Sequence, residues 1–160
     1  MTMEYISIEE QKSLDSSLRT ARIILLSMLL TIVGVLVIAR FITPGEWTPG
    51  SETWSRPVYS GVMIAGLLAV VARRFAMSPM ILGAAKQRGL AAVLQTLLTM
   101  TIMLGAVAEM VGFAGLIFYL LTGDYQYSWR LGIVSLLLGL YSFPRRREWE
   151  KAVAEIARPV

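Results

Sequence analysis

The sequence predicts an all-α fold: a polytopic integral membrane protein with four transmembrane helices and short amphipathic interfacial helices at both ends. Of its 160 residues, 56% are hydrophobic and 16% are charged. The mean hydropathy of +0.62 is too high for a soluble domain of this size. The apolar residues form four runs, and the charges lie between and beyond them. Because lipid cannot hydrogen-bond the backbone, such runs favour helices, and no strand is expected.

The four predicted spans cover residues 21–42, 58–72, 90–121 and 127–143, and together they form a transmembrane domain over 21–143. The second and fourth runs are short for a hydrocarbon core of about 30 Å. The third is longer than a bilayer needs, so part of it should project beyond the membrane. We expect this helix to begin as early as Pro79, capped by Ser78 and bent at Gly89.

The two ends are predicted to be amphipathic helices outside the hydrocarbon. Residues 1–20 begin with a capping box of Ser7 and Glu10, and this segment should lie on the membrane as a short helix. In the C-terminal segment 144–160, Pro144 ends the fourth helix. A stripe of Trp149, Ala152, Val153 and Ile156 follows, which could rest on lipid or on a partner subunit.

The distribution of basic residues predicts the orientation. With four spans, twelve of the fifteen Lys and Arg residues fall on the side of both termini, and only Arg40, Arg56 and Arg130 fall on the other. Positive charge marks the cytoplasmic side, so both termini should be cytoplasmic, in a bacterial inner membrane. These basic clusters explain the high isoelectric point, so we expect no nucleic-acid partner. The predicted lipid head-group anchors are Arg73, Arg74, Arg145, Arg146, Arg147 and Trp149.

Missing residue types exclude several kinds of chemistry. The sequence contains no Cys and no His, which removes the commonest metal and haem ligands and the usual acid–base catalyst near neutral pH. No Gly-rich phosphate loop and no serine nucleophile with a neighbouring base is present. We therefore predict no catalytic residues, no metal site and no cofactor. A bound pigment would need carboxyl, amide, carbonyl or water ligands.

Glu109 is the one ionisable residue deep inside a predicted span. A charged carboxylate is costly there, so the side chain should face other helices in its protonated form. Small residues on the same helix recur at spacings of four and three and predict a tight helix-packing seam: Thr101, Gly105, Ala108, Gly112 and Gly115. Two interpretations stay open, a hydrogen-bonding packing group and a proton-binding site.

Residues 58–123 carry a family resemblance. Gln95 and Thr96 follow a polar loop containing Arg88, and the run Ala106-Val107-Ala108-Glu109 precedes Gly115-Leu116-Ile117. This pattern resembles the proton-carrying hairpin of the rotary ATP synthase proteolipid, subunit c. The resemblance implies that Glu109 would be the proton-carrying carboxylate. Small multidrug transporters also have four helices and an Ala-Glu carboxylate, but theirs lies in the first helix.

The leading functional prediction is a non-catalytic accessory or structural subunit of a larger bacterial membrane complex, with a bioenergetic complex as one candidate. Its partners would be the lipid bilayer and other membrane subunits or further copies of the chain. The alternative is a proton-linked carrier or ring-forming protein that uses Glu109. A small multidrug-type transporter ranks third.

Overall fold

The computed structural model describes residues 8–42, 51–76, 83, 85 and 87–154, with the side chains of 51–55 excepted. These residues form helices and no strand. The helices are α1 (Ile8–Phe41), α2 (Ser51–Ala76), α3 (Leu90–Thr122), α4 (Tyr125–Tyr141) and α5 (Arg146–Ala154). The all-α prediction is confirmed for the described part of the chain. Ser7, Ser78, Pro79 and Ile156 lie outside it.

Within the described residues, three helices are long and apolar enough to cross a bilayer: α1, the Arg56–Phe75 part of α2, and α3. The sequence predicts four. The fourth predicted span corresponds to α4, which has 17 residues and is therefore about 25 Å long, short of a full hydrocarbon core. The chain is a membrane protein with three clear candidate spans.

Helix α3 lies at the centre of the bundle and contacts α1, α2 and α4. Along α1, Leu25 and Met28 face Gly105, and Ile32 faces Gly112 further up, so α1 and α3 run parallel. Helix α4 runs antiparallel to α3, and α2 packs through Gly66 against Val111 of α3 and Leu138 of α4. Phe118, Ala108 and Leu131 are among the buried residues of this transmembrane core.

Small residues let the backbones of α3 and α4 approach closely. Ser135 on α4 donates a hydrogen bond to the Ala108 carbonyl oxygen on α3 at 2.6 Å. A Cβ atom on Gly112 would lie 2.9 Å from Ser135 Oγ, so a larger residue would push against the hydroxyl that makes this bond. Close contact of this kind is how membrane helices associate without a hydrophobic driving force.

The ends of the helices are set by backbone conformation. Gly89 precedes α3 with a φ of 93°, and Gly123 follows it with a φ of 71°, both in the region that favours glycine. The Gly123 N–H donates to the Tyr119 carbonyl at 2.8 Å, which closes the helix. The third helix is thus interrupted at Gly89, and the long helix begins at Leu90. The side chain of Asp124 caps α4 by accepting from the Gln126 N–H.

Residues 8–20, the described part of the predicted surface helix, are instead continuous with the first span. Helix α1 has 34 residues and is about 50 Å long, so it extends well beyond the hydrocarbon. Its lower part does not lie on lipid. It packs in a cluster that we call the base cluster, made of Leu14, Leu18, Ala21, Ala85, Val93, Leu94, Leu97, Trp149, Ala152 and Val153. Helices α1, α3 and α5 therefore meet at one end of the bundle, which we call the base.

We expect Gly115→Ala to destabilise the packing of α3 on α4. The added Cβ would lie 2.9 Å from Leu131 Cβ and 3.3 Å from the Ser128 Cα and carbonyl oxygen, and backbone atoms cannot move aside without shifting α4. Overpacking should cost about 1–3 kcal/mol. Unfolding in mixed micelles of SDS and a mild detergent, followed by circular dichroism, measures the loss.

The matched control is Gly34→Ala. Gly34 also lies in a transmembrane helix, but nothing lies within 4 Å of its added Cβ. The alanine should be neutral or slightly stabilising there, because alanine favours the helix by about 0.5–1 kcal/mol. Equal stability of the two variants would contradict the close approach of α3 and α4.

Candidate functional site

Glu109 lies on α3 at the edge of the small-residue seam. Its side chain is half-buried, beside the fully buried Ala108 and the largely exposed Met110. Within the described part of the chain, it makes no hydrogen bond and no ion pair. The carboxyl group is therefore neither sealed inside the bundle nor satisfied by a neighbour.

Glu109 lies well inside the long apolar helix α3. It is about 20 Å along α3 from the helix end at Thr122, and the hydrocarbon core is about 30 Å thick. Level with it on α1 are the residues between Leu25 and Ile32, which face Gly105 and Gly112. No Lys or Arg occurs in that stretch of α1. Arg22, the next basic residue toward the base, lies about 10 Å lower along the axis.

The hydroxyl groups near this depth are already engaged as donors. Ser27 donates to the Ile24 carbonyl at 2.7 Å, and Thr31 donates to the Ser27 carbonyl at 3.1 Å. Ser135 donates to the Ala108 carbonyl. Each hydroxyl has one proton to give, so none of these three has a donor left for the carboxylate of Glu109. Within the described residues, the carboxyl of Glu109 is thus left without a hydrogen-bond donor at its own depth.

The seam residues all face the interior. Thr101 and Ala108 are 4% and 0% exposed, and the glycines at 105, 112 and 115 are buried. The structure thus brings the predicted seam together, and α1 and α4 both pack on it. It leaves Glu109 outside the seam, because a helical position one residue after Ala108 is rotated by about 100°.

Arg73 has a different role from the predicted head-group anchor. Its guanidinium is buried, lies 4.5 Å from the centroid of the Tyr141 ring, and donates from Nη2 to Glu148 Oε2 at 3.2 Å. We call these three side chains the Arg73 latch. It joins the end of α2 to α4 and α5. The sequence did not predict that Glu148 and Tyr141 contact Arg73, because 75 residues separate Arg73 from Glu148. The only sequence signal for this contact was Pro144, which turns the chain back after α4.

Trp149 also departs from the predicted anchor role. Its side chain is 0% exposed and lies in the base cluster, out of reach of lipid head groups. The apolar stripe of α5, predicted to rest on lipid or a partner, packs on α1 and α3 of the same chain. The indole Nε1 has no acceptor among the described residues. Burial of the large ring fixes α5 against the base.

The other predicted anchors remain at the surface. Arg74, Arg145, Arg146 and Arg147 are exposed. Arg146 bonds to Glu150 at 2.6 Å and lies 3.4 Å from Asp15, and these partners, Glu150 first, raise the pKa of its guanidinium above the ordinary value. Its charge is thus partly balanced within the protein. Arg74, Arg145 and Arg147 provide the exposed positive charge at the base.

Aromatic side chains gather at the end opposite the base. Tyr127 stacks on Phe118 and meets Tyr59 edge-on, with ring centroids 5.7 and 5.4 Å apart. The Tyr119 hydroxyl donates to the Ile42 carbonyl at 2.8 Å, which ties the end of α1 to α3. Trp129, near the start of α4, is exposed.

Compared with known proteins, the chain matches no protein-family model, no curated protein and no solved structure.

We expect Glu148→Ala to release α5 from the base by leaving the buried Arg73 cation without its carboxylate. Loss of a fully buried pair costs about 3–5 kcal/mol, and the loss here should be about 1–3 kcal/mol because the Glu148 side chain is 39% exposed. Limited proteolysis should then cut between α4 and α5 faster than in the unmodified protein. Glu150→Ala on the same helix removes only the partner of exposed Arg146, and should leave the cleavage rate unchanged. Equal rates for the two variants would show that the latch does not hold α5.

Proposed function

We propose that the chain is a non-catalytic accessory subunit that packs into a larger membrane complex of the bacterial cytoplasmic membrane. The observation that carries this proposal is Glu109, a half-buried carboxyl near the bilayer centre with no partner in the described residues. Exposing a charged carboxylate there costs about 2.5–3.5 kcal/mol on insertion scales. A neighbouring chain that covers and hydrogen-bonds the group removes this cost.

The remaining surface favours a structural role over a catalytic one. The sequence offers no Cys or His for nucleophilic, acid–base or metal chemistry. The transmembrane surface of the described residues is mostly large apolar side chains such as Leu30, Leu67 and Leu137, which are 72%, 66% and 61% exposed. Such a surface suits lipid and the apolar helices of other subunits.

A topology with four spans and both ends in the cytoplasm fits this role. The start of α1 and the whole of α5 lie at the base, so the chain crosses the bundle an even number of times between them. Helix α4 exposes an apolar stripe of Ile133, Leu137 and Leu140, which is suited to lipid although the helix is short. The exposed arginines at the base support a cytoplasmic position for that end, by the positive-inside rule.

The second candidate is a proton carrier or ring-forming protein that resembles the proteolipid. The half-exposed position of Glu109 favours it, because a carboxyl that exchanges protons must be reachable from outside its own bundle. The two functions make different demands on the same group. A packing contact needs only hydrogen bonding, whereas proton transfer needs an ionisable carboxyl.

We expect single cysteines on the two sides of α4 to show that this helix makes the fourth crossing, and the absence of native Cys makes the test clean. Gln126→Cys at the start of α4 should react with a membrane-impermeant maleimide in intact spheroplasts. Arg147→Cys in α5 should react only after the membrane is opened. Both positions are exposed. Reaction of both from the same side would mean that α4 does not cross the bilayer.

We expect Glu109→Gln to keep the chain in its complex and Glu109→Leu to release it, because the amide can still hydrogen-bond and leucine cannot. Copurification at fixed stoichiometry in mild detergent measures this. The proton-carrier function predicts another pattern: Glu109 reacts with a hydrophobic carbodiimide in a pH-dependent way, and Glu109→Gln abolishes proton transport without disturbing assembly. A chain that purifies alone, as a homogeneous ring, would overturn the accessory-subunit proposal.

A further inference from the structure

The open edge of α3 around Glu109 has the properties of a docking surface. We propose that it receives a transmembrane helix of a different protein, and that this helix presents a Lys, Arg or carboxamide side chain at the depth of Glu109. This inference rests on the proposed function, since it names the contact by which the subunit joins its complex. Four groups could cover the carboxyl: a helix of the same chain, lipid, a second copy of the chain, or a helix of a different protein.

Helices of the same chain do not satisfy Glu109. The described hydroxyl groups at its level, on Ser27, Thr31 and Ser135, all donate to backbone carbonyls. The one buried arginine among the described residues, Arg73, lies at the base end of α2 and is already paired with Glu148. The bundle therefore contains no donor at this depth that could turn to Glu109 without giving up its present bond.

Lipid is a poor cover for this group, because acyl chains offer no hydrogen-bond donor. Flanking side chains on the open face are large and apolar: Met103, Met110, Phe113 and Ile117 are 61%, 70%, 41% and 55% exposed. They could meet lipid or a helix equally well, and methionine adapts readily to a helix surface. Glu109 is the residue on this face that distinguishes lipid from a partner helix, because only a helix can offer it a hydrogen-bond donor.

A second copy of the chain fits less well than a different protein. Two copies inserted in the same orientation place every residue at the same depth. A second copy would then offer Glu109 the same engaged hydroxyls and another carboxyl, which can pair with it only while at least one of the two is protonated. Its nearest basic residue on α1, Arg22, would again lie about 10 Å lower. Hydrogen-bond complementarity therefore favours a partner whose sequence supplies the missing donor.

The test places a photoreactive benzoylphenylalanine at Met110, in the full chain in native membranes. The matched control is Leu68 on α2, which is 59% exposed. Leu68 lies two residues after Gly66, which faces Val111, so it has nearly the same depth as Glu109. The expected result at Met110 is an adduct with another protein, mapped to a transmembrane peptide with a Lys, Arg, Asn or Gln near its middle. Leu68 should give no such adduct.

Variants of Glu109 then decide whether the carboxyl holds the partner. Glu109→Leu should reduce the Met110 adduct about ten-fold, and Glu109→Gln should largely preserve it. Circular dichroism of each purified variant checks the fold, which leucine should leave intact because the position is half-exposed to lipid. If leucine does perturb the fold, the comparison of Met110 with Leu68 in the otherwise unmodified chain still decides the question.

Several outcomes would overturn the inference: adducts with lipid only, the same adduct from both positions, an adduct between two copies of this chain, or an adduct unchanged by Glu109→Leu. Failure here is distinguishable from failure of the proposed function. If the unmodified chain copurifies at fixed stoichiometry with other subunits but gives no Met110 adduct, the accessory role stands and this docking edge is wrong. If it purifies alone, both proposals fail.

Discussion

The close approach of α3 and α4 is the constraint on which the rest of the bundle depends. Lipid gives apolar helices no hydrophobic reason to associate, so backbone proximity and hydrogen bonds between helices must hold them together. Gly112 and Gly115 leave room for the α4 backbone, and Ser135 bonds across the contact to Ala108. Once these two helices are fixed, α1 packs in the groove on one side through Ile32, and α2 packs through Gly66.

Two charged side chains of the bundle, Arg73 and Glu109, differ strongly in their burial and in their partners. Arg73 is buried and satisfied, because Glu148 supplies a carboxylate and Tyr141 supplies a ring face. Glu109 is half-exposed and unsatisfied within the described residues. The proposed docking of a partner helix rests on this contrast between a satisfied and an unsatisfied charge.

The base of the molecule shows how helices longer than the bilayer are used. Helices α1 and α3, each about 50 Å long, continue below the hydrocarbon and keep their apolar faces. Trp149 on α5 fills the space between them. Without α5, the apolar side chains of Leu14 and Leu97 would lose a covering helix at the level of the head groups. The Arg73 latch connects this closure to the end of α2.

The sequence by itself determined what depends on local pattern. Continuous apolar runs dictate helices in a bilayer, the spacing from Thr101 to Gly115 places small residues on one face, and Glu109 stands out because no other carboxylate lies in such a run. The start of α3 at Leu90 agrees with the start of the predicted third span, because the continuous apolar run begins there. The pattern alone could not show whether the fourth apolar run crosses the whole bilayer, because the 17 residues of α4 are at the lower limit of the length needed.

Only the tertiary structure decided which surfaces are covered. The sequence of an amphipathic stripe is the same whether lipid or protein covers it, so the stripes of α1 and α5 did not reveal their partner. In the fold, Leu18 and Trp149 both lie in the base cluster. The pairing of Arg73 with Glu148 depends on the path of the two described helices between them, α3 and α4, which no local spacing encodes. The sequence also could not show that Glu109 is only half-buried. The burial of a position on a helix depends on where the neighbouring helices end, and their packing decides that.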